Sequence, residues 1–279
     1  MSIWYTICDF LPFEILDWRF MQNALLAVIL MAPLFGLMST MIVTGRMSFF
    51  SDALGHSAFT GIAIGAICGF VNITWVSILF ALIFSLFFSF VRNHSNHTAD
   101  TLIGVFSSTA VALGLFVATL NGGSFTKYNK YLIGDILSIT SKEIGILFLV
   151  MLAVILFWSL ASNRLALSVV HPQLASSRRI SVAATQTIFT AFIAVVVTLS
   201  ISWMGLLILN SLLVLPGATA RNISKNLKQY HFFSVLLALF SGIFGLSVSY
   251  YWGTSAGAAI SLILALFFFI SLLVRKVIC

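Results

Sequence analysis

An acid and an imidazole occur four residues apart in a stretch of this sequence that is otherwise mostly apolar. Asp52 and His56 lie between Gly45 and Gly61, and a spacing of four places both side chains on one face of a helix. A carboxylate and a neutral imidazole are ligands for divalent cations such as zinc, manganese and iron(II). Two ligands are too few for such an ion, so the pattern predicts half of a metal site, which a twofold-related second copy would complete.

Further polar and small residues follow the same spacing. The polar set consists of Ser48, Asp52, His56 and Thr60. On a helix these side chains form one stripe, so Ser48 and Thr60 are expected to flank Asp52 and His56 and to face a cavity. The small set consists of Gly61, Gly65 and Gly69. This set lies on the opposite side of the helix and predicts close packing against a neighbouring helix.

A structural interpretation of the same residues stays open. Asp52 can serve as a local cap or pair, and His56 can be a buried histidine whose hydrogen bonds are satisfied. An ionisable residue within a membrane costs about 2.5–3.5 kcal/mol on insertion scales, which favours a functional role.

Composition identifies the kind of protein that holds these residues. The 279-residue chain is 61% hydrophobic and 8% charged, with a mean hydropathy of +1.12. These values predict an all-α, polytopic integral membrane protein in a lipid bilayer. Its net charge of +7 comes from scattered basic residues, which argues against nucleic-acid binding. The three cysteines form no closely spaced pair, so neither a disulfide framework nor a thiolate metal site is indicated.

Apolar runs of about 20 residues can cross a bilayer, and nine are predicted, with eight as the alternative count. The predicted spans are 22–44, 47–69, 75–91, 101–120, 142–161, 182–202, 205–220, 232–250 and 256–274. The two spans within 182–220 require a turn between Ser202 and Gly205, and a re-entrant hairpin or a different count of the N-terminal segment is the alternative. Pro216 lies in the second of them and frees a backbone carbonyl that a neighbour or water must satisfy.

The basic residues predict the orientation of the spans. Ten of the 14 Lys and Arg residues follow odd-numbered spans, so these loops and the C-terminus are expected in the cytoplasm, with the N-terminus outside. Residues 1–279 are interpreted as one transmembrane domain, with an extracytoplasmic segment at 1–21 and a cytoplasmic loop at 162–181. The acidic N-terminal segment does not resemble a removable signal peptide.

Five segments, in this order and spacing, resemble one family of transporters: Gly45 to Gly61, Asp100 to Gly104, Tyr131 to Leu137, Gly205 to Arg221, and Gly257 to Ile260. The chain is similar to the permease subunits of metal-ion ATP-binding-cassette (ABC) importers, the ABC-3 family for zinc, manganese and iron. The resemblance implies a type II ABC importer-like permease in the bacterial cytoplasmic (inner) membrane. It also implies a homodimer, separate cytoplasmic ATPase subunits and an extracytoplasmic metal-binding protein.

The resemblance assigns roles to particular residues. The metal-contacting residues of the family correspond to Asp52 and His56, and the cargo would be a transported ion with no resident cofactor. Ser48 and Thr60, which share their stripe, are then expected to line the translocation path. Loop 162–181 corresponds to the segment that couples to the ATPase, with these candidates: His171, Pro172, Gln173, Leu174, Ala175, Arg178 and Arg179. The chain departs from the family pattern in this loop and ahead of the last span. No Gly-x-x-x-x-Gly-Lys-Ser/Thr motif occurs, so the chain is expected to be a transporter subunit and not an enzyme.

Two other functions remain open, and a third is disfavoured by the residues. A permease for a metal chelate (siderophore, haem or cobalamin type) remains open, as does an ion-coupled secondary transporter, although only one broken helix is evident. A haem-holding anchor needs paired histidines, and only His56 lies well within a span.

His94 and His97 could form a weak cytoplasmic metal site, but a solvated turn before a helix capped by Thr98 or Asp100 is favoured.

Overall fold

The computed structural model describes residues 2–10, 14–69, 72–120 and 136–278, and every regular element in these ranges is helical. The α-helices are α1 (Ser2–Phe10), α2 (Arg19–Thr44), α3 (Phe50–Ile67), α4 (Ile73–His94), α5 (Ala99–Thr119), α6 (Ser141–Val170), α7 (Pro172–Ser177), α8 (Val182–Ile223), α9 (Leu227–Trp252) and α10 (Ala256–Ile278). Short 3-10 segments cover Glu14–Asp17 and Ile136–Ser138. The predicted all-α class is confirmed.

Seven of the described helices are long and apolar enough to cross a bilayer: α2, α4, α5, α6, α8, α9 and α10. The nine predicted spans all fall on helices, and the counts differ for two reasons. Two predicted spans share α8. Helix α3 is not among the seven, because it carries Asp52, His56 and several small polar residues; 13 of its residues are buried, so neighbouring helices supply its apolar surroundings.

Helix α8 is interrupted at Gly205, where φ is 74° and ψ is 166°. A straight helix of its 42 residues would be about 63 Å long, twice the thickness of the hydrocarbon core. Before the break, Thr190 contacts Ser89 near the C-terminal end of α4 through hydroxyls 2.7 Å apart, and Thr198 to Ser202 approach Thr74 at the other end of α4. After the break, Asn210 reaches Asp52 near the start of α3. The chain therefore reverses direction at Gly205, as the sequence predicts.

Pro216 lies within the second half of α8 and does not end it. The hydroxyl of Ser39 on α2 accepts a hydrogen bond from the Gly217 backbone N–H at 2.8 Å. It also lies 3.3 Å from the Val214 carbonyl, to which it can donate. A side chain of the neighbouring helix thus contacts the backbone on both sides of the proline.

The chain divides into two compact units, and the divisions fall inside α2, α6 and α8. Unit 1 comprises Met1–Thr40, Asp135–Phe157 and Ser211–Cys279. In this unit α9 packs closely on α2. A Cβ added at Gly36 of α2 would lie only 2.9 Å from the Val235 Cα of α9. Gly245 of α9 meets the backbone of Ile260 on α10 in the same way. Small residues let these helices approach at backbone distance.

Unit 2 comprises Met41–Gly134 and Trp158–Asn210, and its described part is centred on α3. The predicted close packing is confirmed for two glycines, since a Cβ at Gly61 would lie 2.6 Å from the Ser77 Cα of α4 and one at Gly65 would lie 3.3 Å from Val76. Gly69 instead lies in the turn after α3, with φ of 70° and open space around it. Its role is conformational, because a positive φ favours glycine.

One predicted loop boundary differs from the structure. Helix α6 continues to Val170, so the predicted loop 162–181 is shorter and begins at His171. The extension is explained by packing, since Leu165, Ala166 and Ser168 are buried. The prediction for Tyr131 to Leu137 lies mostly outside the described residues, as do Lys127 and Lys130.

Candidate metal centre

The turn before α3 decides where the predicted polar stripe begins. Helix α2 ends in a Schellman-type motif, in which the Met47 N–H reaches the Ile42 carbonyl at 3.0 Å and Arg46 has a left-handed φ of 54°. The chain therefore becomes helical only at Phe50. Asp52 lies in the first turn of α3, where the positive end of the helix dipole favours a carboxylate. It is not the N-cap residue, which is Phe49.

Asp52 and His56 face each other on α3. The Asp52 Oδ2 atom lies 3.5 Å from the His56 Nε2 atom, and the side chains are 38% and 25% exposed. With metal–ligand distances of about 2.0–2.2 Å, two ligands of a tetrahedral ion are about 3.4 Å apart, and adjacent ligands of an octahedral ion are about 3.0 Å apart. The observed separation therefore suits chelation of one ion with little movement of either side chain.

Two further side chains hold the Asp52 carboxylate. The Asn210 amide Nδ2 donates to Oδ1 at 3.0 Å, and the Ser107 hydroxyl donates to Oδ2 at 3.5 Å. Three elements thus meet at this carboxylate: α3, α5 and the part of α8 after Gly205. The sequence analysis missed Asn210 and Ser107. Asn210 could have been singled out from the sequence, because it is an amide within the apolar run Leu206–Leu215.

Asp52 also borders an open cleft. The cleft has a volume of about 370 Å³ and is lined by Phe49, Asp52, Asp100, Ile103, Gly104, Ser107 and Ser108. Asp52 is thus reachable from outside unit 2 by a small cation. Among the residues that the structure describes, no cluster of three or more His, Cys, Asp and Glu side chains occurs. One copy of the described chain therefore offers two strong ligands at this point.

The other two members of the predicted stripe have different surroundings. Ser48 is half-buried and lies in the turn before α3, so the predicted helical stripe starts one turn later than expected. Thr60 is fully buried, and its hydroxyl lies 2.7 Å from the Ala110 carbonyl of α5. The structure brings Asp52 and His56 together and places Thr60 at the contact between α3 and α5. A path-lining role for Ser48 and Thr60 stays a prediction.

The predicted coupling residues form one compact surface feature. Helix α7 begins after His171, with Pro172 as its first residue, and a cleft of about 490 Å³ lies along residues 170–174. Ala175 is fully buried, and its carbonyl accepts hydrogen bonds from Arg178 and Ile180. Arg179 follows in a left-handed conformation with φ of 59°. The remaining side chains of the candidate set are exposed and available to a partner.

The remaining histidines lie outside this centre. His94 is exposed, and its Nδ1 atom lies 2.9 Å from the Phe90 carbonyl one turn earlier on α4. His97 lies in the following turn, and Thr98 caps α5 by accepting from the Thr101 N–H, as the favoured interpretation predicts. In unit 1, the His231 Nδ1 atom lies 2.9 Å from the Thr40 hydroxyl.

Comparison with known proteins identifies the family. Residues 17–275 match the ABC 3 transport family. The high-affinity zinc uptake system membrane protein ZnuB of Haemophilus influenzae is 28% identical over 257 residues, which cover 91% of this chain and 97% of that protein. The manganese import system permease protein ScaB of Streptococcus gordonii is 28% identical over 255 residues, which cover 91% of each protein.

A solved structure has the same architecture. PsaBC from Streptococcus pneumoniae, in complex with Fab, matches with a TM-score of 0.79 and 25% identity, over 97% of this chain and 95% of that one. The agreement extends over nearly the whole length of both chains. The chain therefore belongs to the ABC 3 transport family.

Proposed function

We propose that this chain is the membrane permease of an ABC importer that carries a divalent transition-metal ion, with zinc and manganese as the favoured cargoes. The observation that carries the proposal is the separation of 3.5 Å between the Asp52 carboxylate and the His56 imidazole, a spacing that suits two ligands of one ion. Relatives named for zinc uptake and for manganese import cover nine-tenths of the chain. A bare ion fits this compact pair better than a bulky chelate does.

The pair supplies only two of the four or six ligands that such an ion takes, which supports a homodimer. Zinc takes four ligands, and manganese takes six, whereas one chain offers one carboxylate and one imidazole. A second copy related by a twofold axis would contribute the same pair again. The ion would then rest between two protomers on two Asp52 and two His56 side chains.

The partners follow from the family and from the chain itself. The ion would be delivered by an extracytoplasmic metal-binding protein, and ATP would be hydrolysed by separate cytoplasmic subunits. The excess of basic residues in alternate loops supports a bacterial inner-membrane topology with the N-terminus outside and the C-terminus in the cytoplasm. The surface around α7, with Arg178 and Arg179, would then face the ATPase.

Transport would proceed by alternating access. The neutral imidazole and the carboxylate replace water around the incoming ion, and neither side chain has to move far to do so. Rearrangement of the ATPase, transmitted through the α7 surface, would open the site to the cytoplasm, where water competes for the ion again. Asp52 lies nearer the start of α3 and beside the open cleft, so it would be the last ligand to release the ion inward.

The experiment is metal uptake by cells that carry this chain with its ATPase and binding protein. Asp52→Ala and His56→Ala are each expected to abolish uptake of one of zinc, manganese and iron while the protein remains inserted. His94→Ala is the matched control, because His94 is exposed and bonds to its own helix, and it should transport normally. Unchanged uptake of all three metals by the Asp52 and His56 variants would overturn the proposal.

A further inference from the structure

Asn210 is an amide that the proposed function leaves without a role. It follows Leu207, Ile208 and Leu209 in the half of α8 that returns after the break at Gly205. Polar side chains within membrane-spanning helices are costly unless they find partners, and they mark functional positions.

The fold brings Asn210 to the metal centre by close packing of α8 on α3. Leu206 and Asn210 are one turn apart on α8, and they meet Gly55 and Asp52, which are neighbours on one face of α3. A Cβ at Gly55 would overlap the side chain of Leu206. The glycine therefore lets the returning half of α8 approach closely enough for the Asn210 amide to reach the Asp52 carboxylate at 3.0 Å.

The chemistry of the contact fixes how the amide is oriented. A carboxylate oxygen only accepts hydrogen bonds, so the Asn210 nitrogen must face Asp52 Oδ1 and the amide oxygen must face away. That amide oxygen is buried and has no hydrogen-bond partner among the described residues. Leaving such an atom unpaired costs about 1–3 kcal/mol. The orientation that gives Asp52 an N–H donor therefore has a free-energy cost at the Asn210 amide oxygen.

We propose that Asn210 is a positioning residue that holds Asp52 as a one-oxygen ligand and thereby tunes which ion the site prefers. This inference rests on the proposed function. With Oδ1 held by the amide, Oδ2 is the oxygen that faces His56. A single oxygen beside an imidazole suits a tetrahedral zinc ion, whereas a carboxylate free to bind through both oxygens suits an ion with more ligands, such as manganese.

The test measures the KM for zinc and for manganese uptake in Asn210→Leu, which keeps the size of the side chain and removes its N–H groups. Loss of an outer-shell partner typically costs 10–100-fold in metal affinity or activity, so the KM for zinc should rise about 10–100-fold and the KM for manganese should rise less. Asn210→Gln, which retains an amide, should recover part of the loss. The ratio of the two KM values does not depend on how much protein folds.

Asn222→Leu is the matched control, because it is the same substitution on the same helix. Asn222 donates to the Ser271 hydroxyl in unit 1 at 2.9 Å, and its loss should leave the KM ratio unchanged. An unchanged ratio in Asn210→Leu, with uptake still dependent on Asp52, would overturn this inference alone. Unchanged uptake in Asp52→Ala, with Asn210 intact, would instead overturn the proposed function.

Discussion

Replacing Gly61 by alanine tests the packing that holds α3, the helix of Asp52 and His56, in place. The new Cβ would lie 2.6 Å from the Ser77 Cα and 3.3 Å from its carbonyl oxygen. These are backbone atoms, so no side-chain rotation can relieve the overlap. An ordinary contact begins at 3.4 Å, and α3 and α4 would have to separate locally by about 0.8 Å, the difference between the two distances.

The expected cost follows from that separation. A gap of 0.5–1 Å forfeits about a quarter to a half of the attraction of each contact it opens, and overpacking of a filled interior costs about 1–3 kcal/mol. The hydrogen bond from the Ser77 hydroxyl to the Ala58 carbonyl, at 2.9 Å, would also be stretched. The gain from replacing a helical glycine is about 0.5–1 kcal/mol, which leaves a net loss of about 1–2 kcal/mol.

The assay is the midpoint of thermal unfolding of the purified protein in one detergent, compared across three glycines. Gly61→Ala should unfold at the lowest temperature. Gly65→Ala should be intermediate, because its nearest neighbours are side-chain atoms at 3.3 Å. Gly104→Ala should equal or exceed the parent, since nothing lies within 4 Å of its Cβ position. Equal midpoints for the Gly61 and Gly104 variants would refute the close contact between α3 and α4.

Three further predictions concern other parts of the chain. Ser39→Ala removes the hydroxyl that satisfies the Gly217 N–H and should lower the free energy of unfolding by about 1–3 kcal/mol, measured by the same thermal assay; an unchanged midpoint would contradict this role. Gly205→Ala places a side chain at φ of 74°, which costs about 1–3 kcal/mol, and it should reduce metal uptake at equal expression; full uptake would argue against the reversal there. Arg178→Glu should weaken co-purification of the ATPase while metal binding persists, whereas Lys142→Glu, at the start of α6, should not; equal co-purification would count against the coupling surface.

The spacing of polar residues predicted that the Asp52 and His56 side chains lie together, because both residues lie on one helix. Asp52 and His56 are one turn apart, and a local periodicity is sufficient to bring them together. The glycine repeat predicted the close packing of α3 on α4 for the same reason, because Gly61 and Gly65 also lie on one helix. The turn at Gly205 was also predictable, since a continuous helix of that length exceeds the bilayer and glycine permits the required backbone angles.

Contacts between distant segments could not be predicted in this way. Asn210 and Ser107 reach Asp52 from positions 158 and 55 residues away. A local sequence pattern cannot indicate a contact between residues so far apart in the chain. The start of α3 was predicted too early, at Met47 instead of Phe50, because Arg46, a non-glycine residue, adopts the left-handed conformation. Ser48 therefore falls outside the helix. Periodicity placed Thr60 in the polar stripe, but it could not show that the Thr60 hydroxyl donates to the Ala110 carbonyl of a neighbouring helix.

Asp52 and His56 are proposed to form half of a metal site shared by two copies of the chain. The metal content of the purified protein, reconstituted in lipid and equilibrated with zinc or manganese, tests this proposal when it is expressed per chain. One tightly bound ion is expected for every two chains, and none is expected in His56→Ala of the same oligomeric state. One ion per chain, or an unchanged metal content in His56→Ala, would contradict it.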